Sequence, residues 1–247
     1  MNKKIIKLST LLFILLTLTV ILTGCTQRPS LEESTENVIK EMEKVYGDKF
    51  TYISSCSRGT DDLFGKNPTR EVILESEELP NKEIKVLYNY DDYTGNYNYQ
   101  KCYYNLVKYE EKILEELAVL DEIYDEYKVL LLPTNDDMVK LSYDEYTKSE
   151  NTIQLYIIVS PKTSKLNKEK DFEKLRKSLE ENELFISRIN IFYTNEEDVF
   201  DELDSKNEEE IMDYARENGG TEGIFYLDED YKTKDMSRWL ERKKSEL

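Results

Sequence analysis

The chain has 247 residues, of which 52 are acidic and 34 are basic, so its formal net charge at pH 7 is −18. A protein of this sign repels phosphate backbones, which argues against nucleic acid as a partner. The sequence contains no histidine, which removes Ser-His-Asp and Cys-His catalysis and every zinc site that uses an imidazole. The length and the apolar periodicity predict a folded chain with a sizeable core.

The first 25 residues have the three parts of an export signal. Three lysines within the first seven residues precede an apolar stretch over 8–22. This stretch has about 15 residues, whereas a membrane-spanning helix needs about 20. The tetrapeptide Leu22-Thr23-Gly24-Cys25 follows and resembles the lipobox of bacterial lipoproteins. The alternative is an ordinary secretory signal with a cysteine at this position by chance.

The lipobox resemblance implies that residues 1–24 are removed and that the thiol of Cys25 is diacylated. Two acyl chains make a stable anchor, whereas one is marginal. The mature chain would carry 31 basic against 52 acidic residues, a formal net charge of −21, and anionic lipid head groups would repel its folded part. We therefore expect a lipid-anchored protein on the extracytoplasmic face of the cell membrane, with residues 25–30 as lipidated cysteine and short linker.

A first helix is predicted directly after this linker. Ser30 and Glu33 have the spacing of a capping box, and Gly47 is typical of a helix end. If the helix begins at Ser30, the linker reaches at most about 17 Å and holds the domain close over the bilayer. If residues 31–37 fray, the tether becomes roughly twice as long.

Strands and a long helix are predicted next. The β-rich segments at 50–54, 71–74 and 84–88 indicate three strands. A polar loop over 91–96 leads into a helix near 99–124, because apolar residues recur there at steps of three and four.

The second half of the chain alternates between the two kinds of element. Strands are predicted over 129–132, 153–159, 184–193 and 224–227, and helices over 167–182, 208–217 and 234–244. This order predicts a mixed α+β fold whose sheet is partly parallel in the second half and packed by helices. The globular region spans 31–247, as one domain or as two subdomains that divide near 133–150.

Two short segments, EKVYGDKF at 43–50 and YNLVKYE at 104–110, are similar to uncharacterised lipoproteins of Gram-positive bacteria. The resemblance covers a small part of the chain. It implies no activity and no functional residue.

Two cysteines remain once Cys25 is lipidated. An exported protein could join Cys56 and Cys102 in a disulfide. The alternative is two buried thiols, because free cysteine packs as a small apolar residue.

No metal or cofactor is predicted apart from the covalent lipid. Calcium is the metal that the acidic loops would suit best. However, the clusters at 91–96, 195–198 and 228–230 do not meet the EF-hand pattern. Solvated acidic loops are therefore the favoured interpretation.

Tyrosine and asparagine alternate between residues 88 and 105. Aromatic rings stack on apolar partners, and amides supply adaptable hydrogen bonds. The candidate binding surface consists of Tyr90, Tyr93, Asn96 and Tyr97. The alternative is that many of these rings belong to the core.

No catalytic residue is predicted. The leading hypothesis is a non-enzymatic binding or scaffolding module at the cell envelope, with an unidentified envelope protein, peptide or glycan as its partner. The rival hypothesis is an envelope enzyme with paired carboxylates, such as a glycoside hydrolase acting on wall glycan.

Overall fold

The computed structural model describes residues 29–58, 69–91, 94–134, 138–149, 153–163, 167–203, 206 and 208–243. The predicted signal peptide, Cys25 and the predicted linker up to Arg28 lie outside these residues, as does Tyr93.

The described residues form helices and two sheets. The helices are α1 (Leu31–Tyr46), α2 (Tyr104–Glu116), α3 (Leu120–Ile123), α4 (Tyr143–Lys148), α5 (Lys168–Glu181), α6 (Glu197–Glu202) and α7 (Glu208–Glu217). The strands are β1 (Phe50–Arg58), β2 (Thr69–Ser76), β3 (Glu83–Asp91), β4 (Asn96–Cys102), β5 (Tyr127–Pro133), β6 (Ile153–Val159), β7 (Arg188–Thr194), β8 (Gly220–Tyr226) and β9 (Arg238–Arg242).

The first sheet has the order β1-β2-β3-β4 and is antiparallel throughout. The second has the order β5-β6-β7-β8-β9, and its β6–β7 pair is parallel. Helix α5 lies between these two strands in the chain, as a parallel connection requires. The α+β fold with a partly parallel second half is therefore confirmed.

Helix α1 covers one face of the first sheet. The Ser30 hydroxyl accepts a hydrogen bond from the backbone N–H of Glu33 at 3.1 Å and starts the helix. Gly47 ends it with a φ of 67°, a conformation that costs glycine nothing. The buried residues of this core alternate along the strands because successive strand side chains point to opposite faces. They include Val38, Met42 and Tyr46 of α1 and Val72, Leu74, Ile84, Val86 and Tyr88 of the sheet.

A buried arginine fixes the start of α1. The guanidinium of Arg70 on β2 donates hydrogen bonds to the backbone carbonyls of Pro29 at 3.2 Å and Ser30 at 3.3 Å, and to the Ser34 hydroxyl. Ser34 is fully buried, and Arg70 is 9% exposed. Hydrogen bonds to charged groups are stronger than those between neutral groups, so Arg70 holds Pro29 and Ser30 to the sheet.

The second sheet is buried on both faces. Leu155 and Ile157 of β6 face one core with α2 and α5, while Tyr156 and Ile158 face a second core with α6 and α7. A strand covered on both sides has a continuous apolar sequence, as residues 155–159 of β6 do.

Helix α2 joins the two sheets. Tyr104, its first residue, packs in the core of the first sheet, and the preceding Tyr103 packs in the core of the second. Polar contacts reinforce the join: Asn105 Nδ2 donates to the Val139 carbonyl at 2.8 Å, and Lys140 Nζ donates to the Tyr46 carbonyl at 2.6 Å.

The predicted helix near 99–124 is shorter than expected. Residues 96–102 form β4 instead, because their alternation of tyrosine with polar residues suits a strand that pairs with β3. Helix α2 ends at Glu116, and after a turn α3 continues the same apolar stripe. The predicted stripe is buried, with Leu106, Ile113, Leu117 and Leu120 between 0% and 4% exposed.

The predicted C-terminal helix over 234–244 is wrong, since Arg238–Arg242 form β9. Trp239 explains the strand. Its ring lies over Gly223 of β8, where an added Cβ would come within 2.4 Å of the indole. It also packs edge-on against Phe225, with ring centroids 5.0 Å apart. The packing of Trp239 over Gly223 on the neighbouring strand therefore favours a strand at 238–242, although the apolar residues of this segment have the spacing of a helix.

Glu222 on β8 is fully buried between two arginines. Arg216 Nε donates to one carboxylate oxygen at 3.0 Å, and Arg242 Nε donates to the other at 2.8 Å. Burial alone would raise the pKa of Glu222, but the hydrogen bonds from Arg216 and Arg242 outweigh it and lower the pKa.

We expect Glu222→Gln to lower the free energy of unfolding by roughly 2 kcal/mol at neutral pH, because two charged hydrogen bonds are lost. A lowered folded-state pKa means that the ionised carboxylate stabilises the fold above its unfolded pKa, and that this stability is lost as the pH falls through the folded pKa. Urea unfolding should therefore show the wild-type advantage shrinking in acid. Glu241→Gln is the matched control, since Glu241 on the neighbouring strand is 79% exposed and should matter little. An advantage independent of pH would contradict this assignment.

Candidate functional site

The tyrosine and asparagine residues of the predicted binding surface lie on the β3–β4 hairpin. Tyr88 pairs with Tyr99 and Tyr90 pairs with Tyr97 across the two strands. Directly paired residues share a face, so these four rings lie on the face that α1 covers. The alternating residues, which include Asn89, Asn96 and Asn98, lie on the opposite face.

Tyr97 contributes to packing. Its hydroxyl accepts a hydrogen bond from Asn37 Nδ2 on α1 at 3.1 Å, and its ring centroid lies 5.3 Å from that of Tyr90 and 5.8 Å from that of Tyr88. Asn96 is exposed on the other face of the strand. The structure therefore brings Tyr90 and Tyr97 together but separates Asn96 from them.

Cys56 and Cys102 are free cysteines on the two outer strands of the first sheet. Cys56 is exposed on β1, and Cys102 is buried on β4 with its sulfur 3.3 Å from the Tyr46 hydroxyl. Three strand spacings separate β1 from β4, roughly 14 Å. This exceeds the Cα separation of about 7 Å that a disulfide tolerates, so the structure does not bring the two sulfurs together.

Two carboxylates meet at the hydroxyl of Tyr104. This hydroxyl lies 3.1 Å from Glu78 Oε2 and 3.5 Å from Asp48 Oδ2, and burial together with the two carboxylates raises the Tyr104 pKa. Asp48 also accepts hydrogen bonds from the Ser76 hydroxyl and from the backbone N–H of Lys49 at 2.7 Å. Both carboxylate oxygens of Asp48 therefore accept hydrogen bonds within the fold. We assign the pair of Asp48 and Glu78 a structural role.

Among the residues that the structure describes, no group of three or more Cys, Asp or Glu side chains is arranged to hold a metal ion. None of the described helices is long and apolar enough to cross a membrane.

A groove runs between α1 and β1. Its volume is about 550 Å³, and it is lined by Leu31, Glu32, Thr35, Glu36, Ile39, Tyr52 and Ser55. Tyr52 and Ile53 on β1 are 49% and 44% exposed, which is high for large apolar side chains. The helical wall begins at Leu31, directly beside the residues that Arg70 holds.

Strand β1 is an edge strand of the first sheet. Natural proteins protect such edges with charged residues, proline, β-bulges, short length or a covering loop, because unpaired N–H and C=O groups are templates for another strand. β1 has nine residues and contains neither lysine nor proline. Its one irregularity is a register shift between Tyr52 and Ser54.

Acidic side chains form the rim of the groove. Glu32 and Glu36 follow one another along α1 and line the groove beside Ile39. Lys40 lies 3.6 Å from Glu36, but both side chains are more than 60% exposed, so the pairing is weak. The groove therefore combines an apolar floor with a negatively charged wall.

The sequence interpretation missed this groove. It predicted a helix and a strand on either side of it, but strand order depends on pairings that are distant in the sequence. The exposed apolar pair Tyr52-Ile53 within a serine-rich strand was the available signal.

No protein-family model matches the chain, and no curated protein sequence matches it. The fold is similar to the crystal structure of a DUF5037 family protein from Ruminococcus gnavus ATCC 29149. The two chains are 10% identical, with a TM-score of 0.47, and the match covers 82% of this chain and 95% of the other. A similarity of this extent assigns neither a family nor an activity.

We expect Tyr97→Ala to lower the free energy of unfolding by about 1–3 kcal/mol, because a half-buried ring and its hydrogen bond to Asn37 are lost. Tyr90→Ala should cost about 1 kcal/mol or less, since its ring contact is with Tyr97. Chemical unfolding monitored by circular dichroism measures both values. Tyr97→Phe separates the hydroxyl from the ring. A Tyr97→Ala protein as stable as wild type would show that the ring is free for recognition.

Proposed function

We propose that this chain is a lipid-anchored, non-enzymatic binding protein on the extracytoplasmic face of a bacterial membrane. Its domain binds an extended, basic peptide segment of a partner protein along β1. The observation that carries the proposal is the nine-residue edge strand β1, with its exposed Tyr52 and Ile53, beside a groove of about 550 Å³. The lipobox resemblance of Leu22-Thr23-Gly24-Cys25 supports the anchor.

The position of Arg70 supports a short tether. Because Arg70 holds Pro29 and Ser30 to the sheet, the free linker is limited to the residues between Cys25 and Pro29. Four Cα steps span at most about 14 Å. The longer tether, in which residues 31–37 fray, would require Ser34 to leave a fully buried position. A lipid on Cys25 would thus keep the N-terminal end of α1 and its groove near the bilayer.

The shape of the groove supports an extended peptide as its occupant. A strand added to a sheet edge gains main-chain hydrogen bonds, and neighbouring pockets select its alternate side chains. β1 supplies the edge, and the floor around Ile39 and Tyr52 accepts an apolar side chain. Glu32 and Glu36 on the helical wall favour a segment that carries lysine or arginine.

Paired-carboxylate catalysis receives no comparable support. A glycoside hydrolase needs two carboxylates that face its substrate across roughly 5–10 Å. The pair at Tyr104 has its Asp48 member committed to Ser76 and to the backbone of Lys49, which leaves it no role at a substrate.

Cys25→Ser tests the anchor. We expect wild-type protein to fractionate with membranes and to carry acyl mass on residue 25, and the variant to lose both, because the thiol is the site of attachment. Intact-mass measurement of purified protein and membrane fractionation give the two readouts. Cys56→Ser is the matched control, since Cys56 is an exposed thiol on the folded domain. A wild-type chain without acyl mass on Cys25 would refute the anchor.

Synthetic peptides test the β1 edge. We expect a labelled peptide that alternates lysine with valine to bind the lipid-free domain, and a peptide that alternates glutamate with valine to bind at least tenfold more weakly, because the groove wall is acidic. Ile53→Lys should abolish capture of the basic peptide with little change in melting temperature, since Ile53 is 44% exposed. Fluorescence anisotropy measures the affinities.

Val139→Lys is the matched control for Ile53→Lys, because Val139 is an apolar residue that is 45% exposed and lies on the segment between β5 and α4, outside the first sheet. It should bind the basic peptide as wild type does. Failure of the wild-type domain to bind the basic peptide, or unchanged binding by Ile53→Lys, would overturn the proposed peptide site without affecting the anchor.

A further inference from the structure

Strand β9 is the last strand in the order of the second sheet, and its described partner is β8 on the inner side. Its outer edge presents backbone N–H and C=O groups to a strand that approaches, as the outer edge of β1 does. β9 is therefore an extended segment at the margin of its sheet. Such a segment can pair with the edge strand of another molecule.

One face of β9 is basic with an apolar centre. Arg238, Leu240 and Arg242 alternate along the strand and therefore lie on the same face. Arg238 is exposed, Leu240 is half-buried, and the side chain of Arg242 is 37% exposed. Trp239 and Glu241 lie on the opposite face, where Trp239 packs against the core with α2 and α5. The first face thus presents a leucine between two arginines.

Glu222 fixes one of these arginines. Its carboxylate accepts a hydrogen bond from Arg242 Nε at 2.8 Å, which keeps the Arg242 side chain on this face. Within the described part of the chain, Arg238 forms no ion pair, and Lys243 directly after β9 is exposed. Arg238 is therefore the arginine of β9 that is most accessible to an acidic partner.

Four strands lie at the edges of the two described sheets: β1 and β4 in the first, and β5 and β9 in the second. β4 carries Lys101 among tyrosines and asparagines. β5 carries Lys128, whose ammonium donates to a backbone carbonyl of α6 at 2.6 Å, and it ends at Pro133. β9 instead carries Arg238 and Arg242 on one face. Of the four, β9 has the side-chain pattern that the acidic groove beside β1 favours.

The groove beside β1 has the complementary chemistry. Glu32 and Glu36 stand on its helical wall, and Ile39 and Tyr52 line it beside them. A carboxylate wall attracts a strand that carries arginine and repels a strand that carries acidic side chains. The apolar lining accepts an aliphatic side chain between the charges.

The lengths of the two surfaces also match. The helical wall from Leu31 to Ile39 rises about 12 Å along α1. Arg238 and Arg242 are about 13 Å apart in an extended strand, with Leu240 midway between them. A single strand of this length therefore places its leucine over the apolar lining and its two guanidinium groups along the wall.

The net charge of the chain does not prevent such a contact between two copies. Copies that each carry a formal charge of −18 repel one another at long range. At physiological ionic strength, however, exposed charges more than about 8 Å apart are largely screened. The charges at the contact itself then decide which surfaces meet. An acidic wall against arginines is favoured over an acidic wall against a second acidic wall.

We propose, building on the peptide site of the proposed function, that the basic segment bound at the β1 groove is β9 of a second copy of this chain. Leu240 enters the apolar lining, and Arg238 and Arg242 face Glu32 and Glu36. The two copies contribute different surfaces, so the contact is heterologous and can repeat from copy to copy.

Sedimentation equilibrium of the lipid-free chain tests the contact. We expect the mass of the wild type to rise with concentration. Ile53→Lys at the β1 edge and Arg238→Glu at the β9 edge should each weaken self-association at least tenfold, because each disables one of the two surfaces. Both residues are exposed, so the melting temperatures should stay close to that of the wild type.

Lys177→Glu is the matched control for Arg238→Glu. It changes the net charge by the same amount, but Lys177 is exposed on α5, which covers the opposite face of the second sheet. We expect this variant to self-associate as the wild type does. Equal weakening by Lys177→Glu and Arg238→Glu would show a general effect of charge and would overturn the assignment to β9.

Mixing the two disabled variants identifies the surfaces. Ile53→Lys keeps an intact β9 and Arg238→Glu keeps an intact β1, so an equimolar mixture should form a one-to-one complex although neither variant associates alone. A contact of β1 with β1 predicts that Arg238→Glu still associates alone and that mixing does not rescue Ile53→Lys. Either of these results, or a wild-type chain that stays monomeric at millimolar concentration, would overturn the proposal.

The peptide site and its occupant can fail separately. A chain that binds the lysine–valine peptide but stays monomeric refutes β9 as the occupant and leaves the peptide site intact. A chain that passes the mixing test but does not bind the peptide supports the β9 contact and refutes general peptide binding. Saturating peptide should dissociate the wild-type assemblies, because both compete for the same edge, and assemblies that persist would also refute the β9 contact.

Discussion

The core under α1 and the core that the second sheet forms with α2 and α5 meet at two consecutive tyrosines. Tyr104 stacks on Tyr46 with ring centroids 4.1 Å apart and closes the core under α1, while Tyr103 packs into the core of the second sheet. Both residues stand where β4 ends and α2 begins, so this one junction sets the position of α2 against each sheet. The remaining helices and strands lie on one side or the other of this junction. Helix α1 and β1–β4 lie on the side of Tyr104, and the larger sheet lies on the side of Tyr103.

Burial on both faces explains which elements could be predicted from the sequence. The apolar run of β6 predicted its strand over 153–159, and α7 matches its predicted bounds of 208–217. The predicted strand over 184–193 begins only at Arg188, because Leu184, Phe185 and Ile186 are buried without pairing to another strand. Burial alone produces an apolar run, whereas a strand also requires a partner, and the partner is distant in the sequence.

The candidate sites were harder to predict, for the same physical reason. The tyrosines near residue 90 stood out in the sequence, yet their period of two puts Tyr97 against α1 and Asn96 on the other face. Conversely, Asn190 interrupts the apolar run of β7 between Ile189 and Ile191, and Tyr52 and Ile53 form an exposed apolar pair within the serine-rich β1. Each departs from its local pattern, but the meaning of the departure depends on strand order: β1 lies at an edge and β7 in the interior.

A residue that breaks a general rule of capping, packing or hydrogen bonding is informative when the residues around it obey those rules. The caps of α1, the paired carboxylate of Glu222 and the filled core around Trp239 all satisfy ordinary physical requirements. Against this background, the exposed apolar pair Tyr52-Ile53 on the edge strand β1 and the unpaired buried amide of Asn190 are costs that the fold could have avoided with a lysine at position 53 or a leucine at position 190. Sequences that specify one fold violate such rules mainly where function requires it. The two violations lie on different sheets, and their surroundings differ: acidic side chains line the groove beside β1, whereas arginines share the face of the sheet on which Asn190 lies.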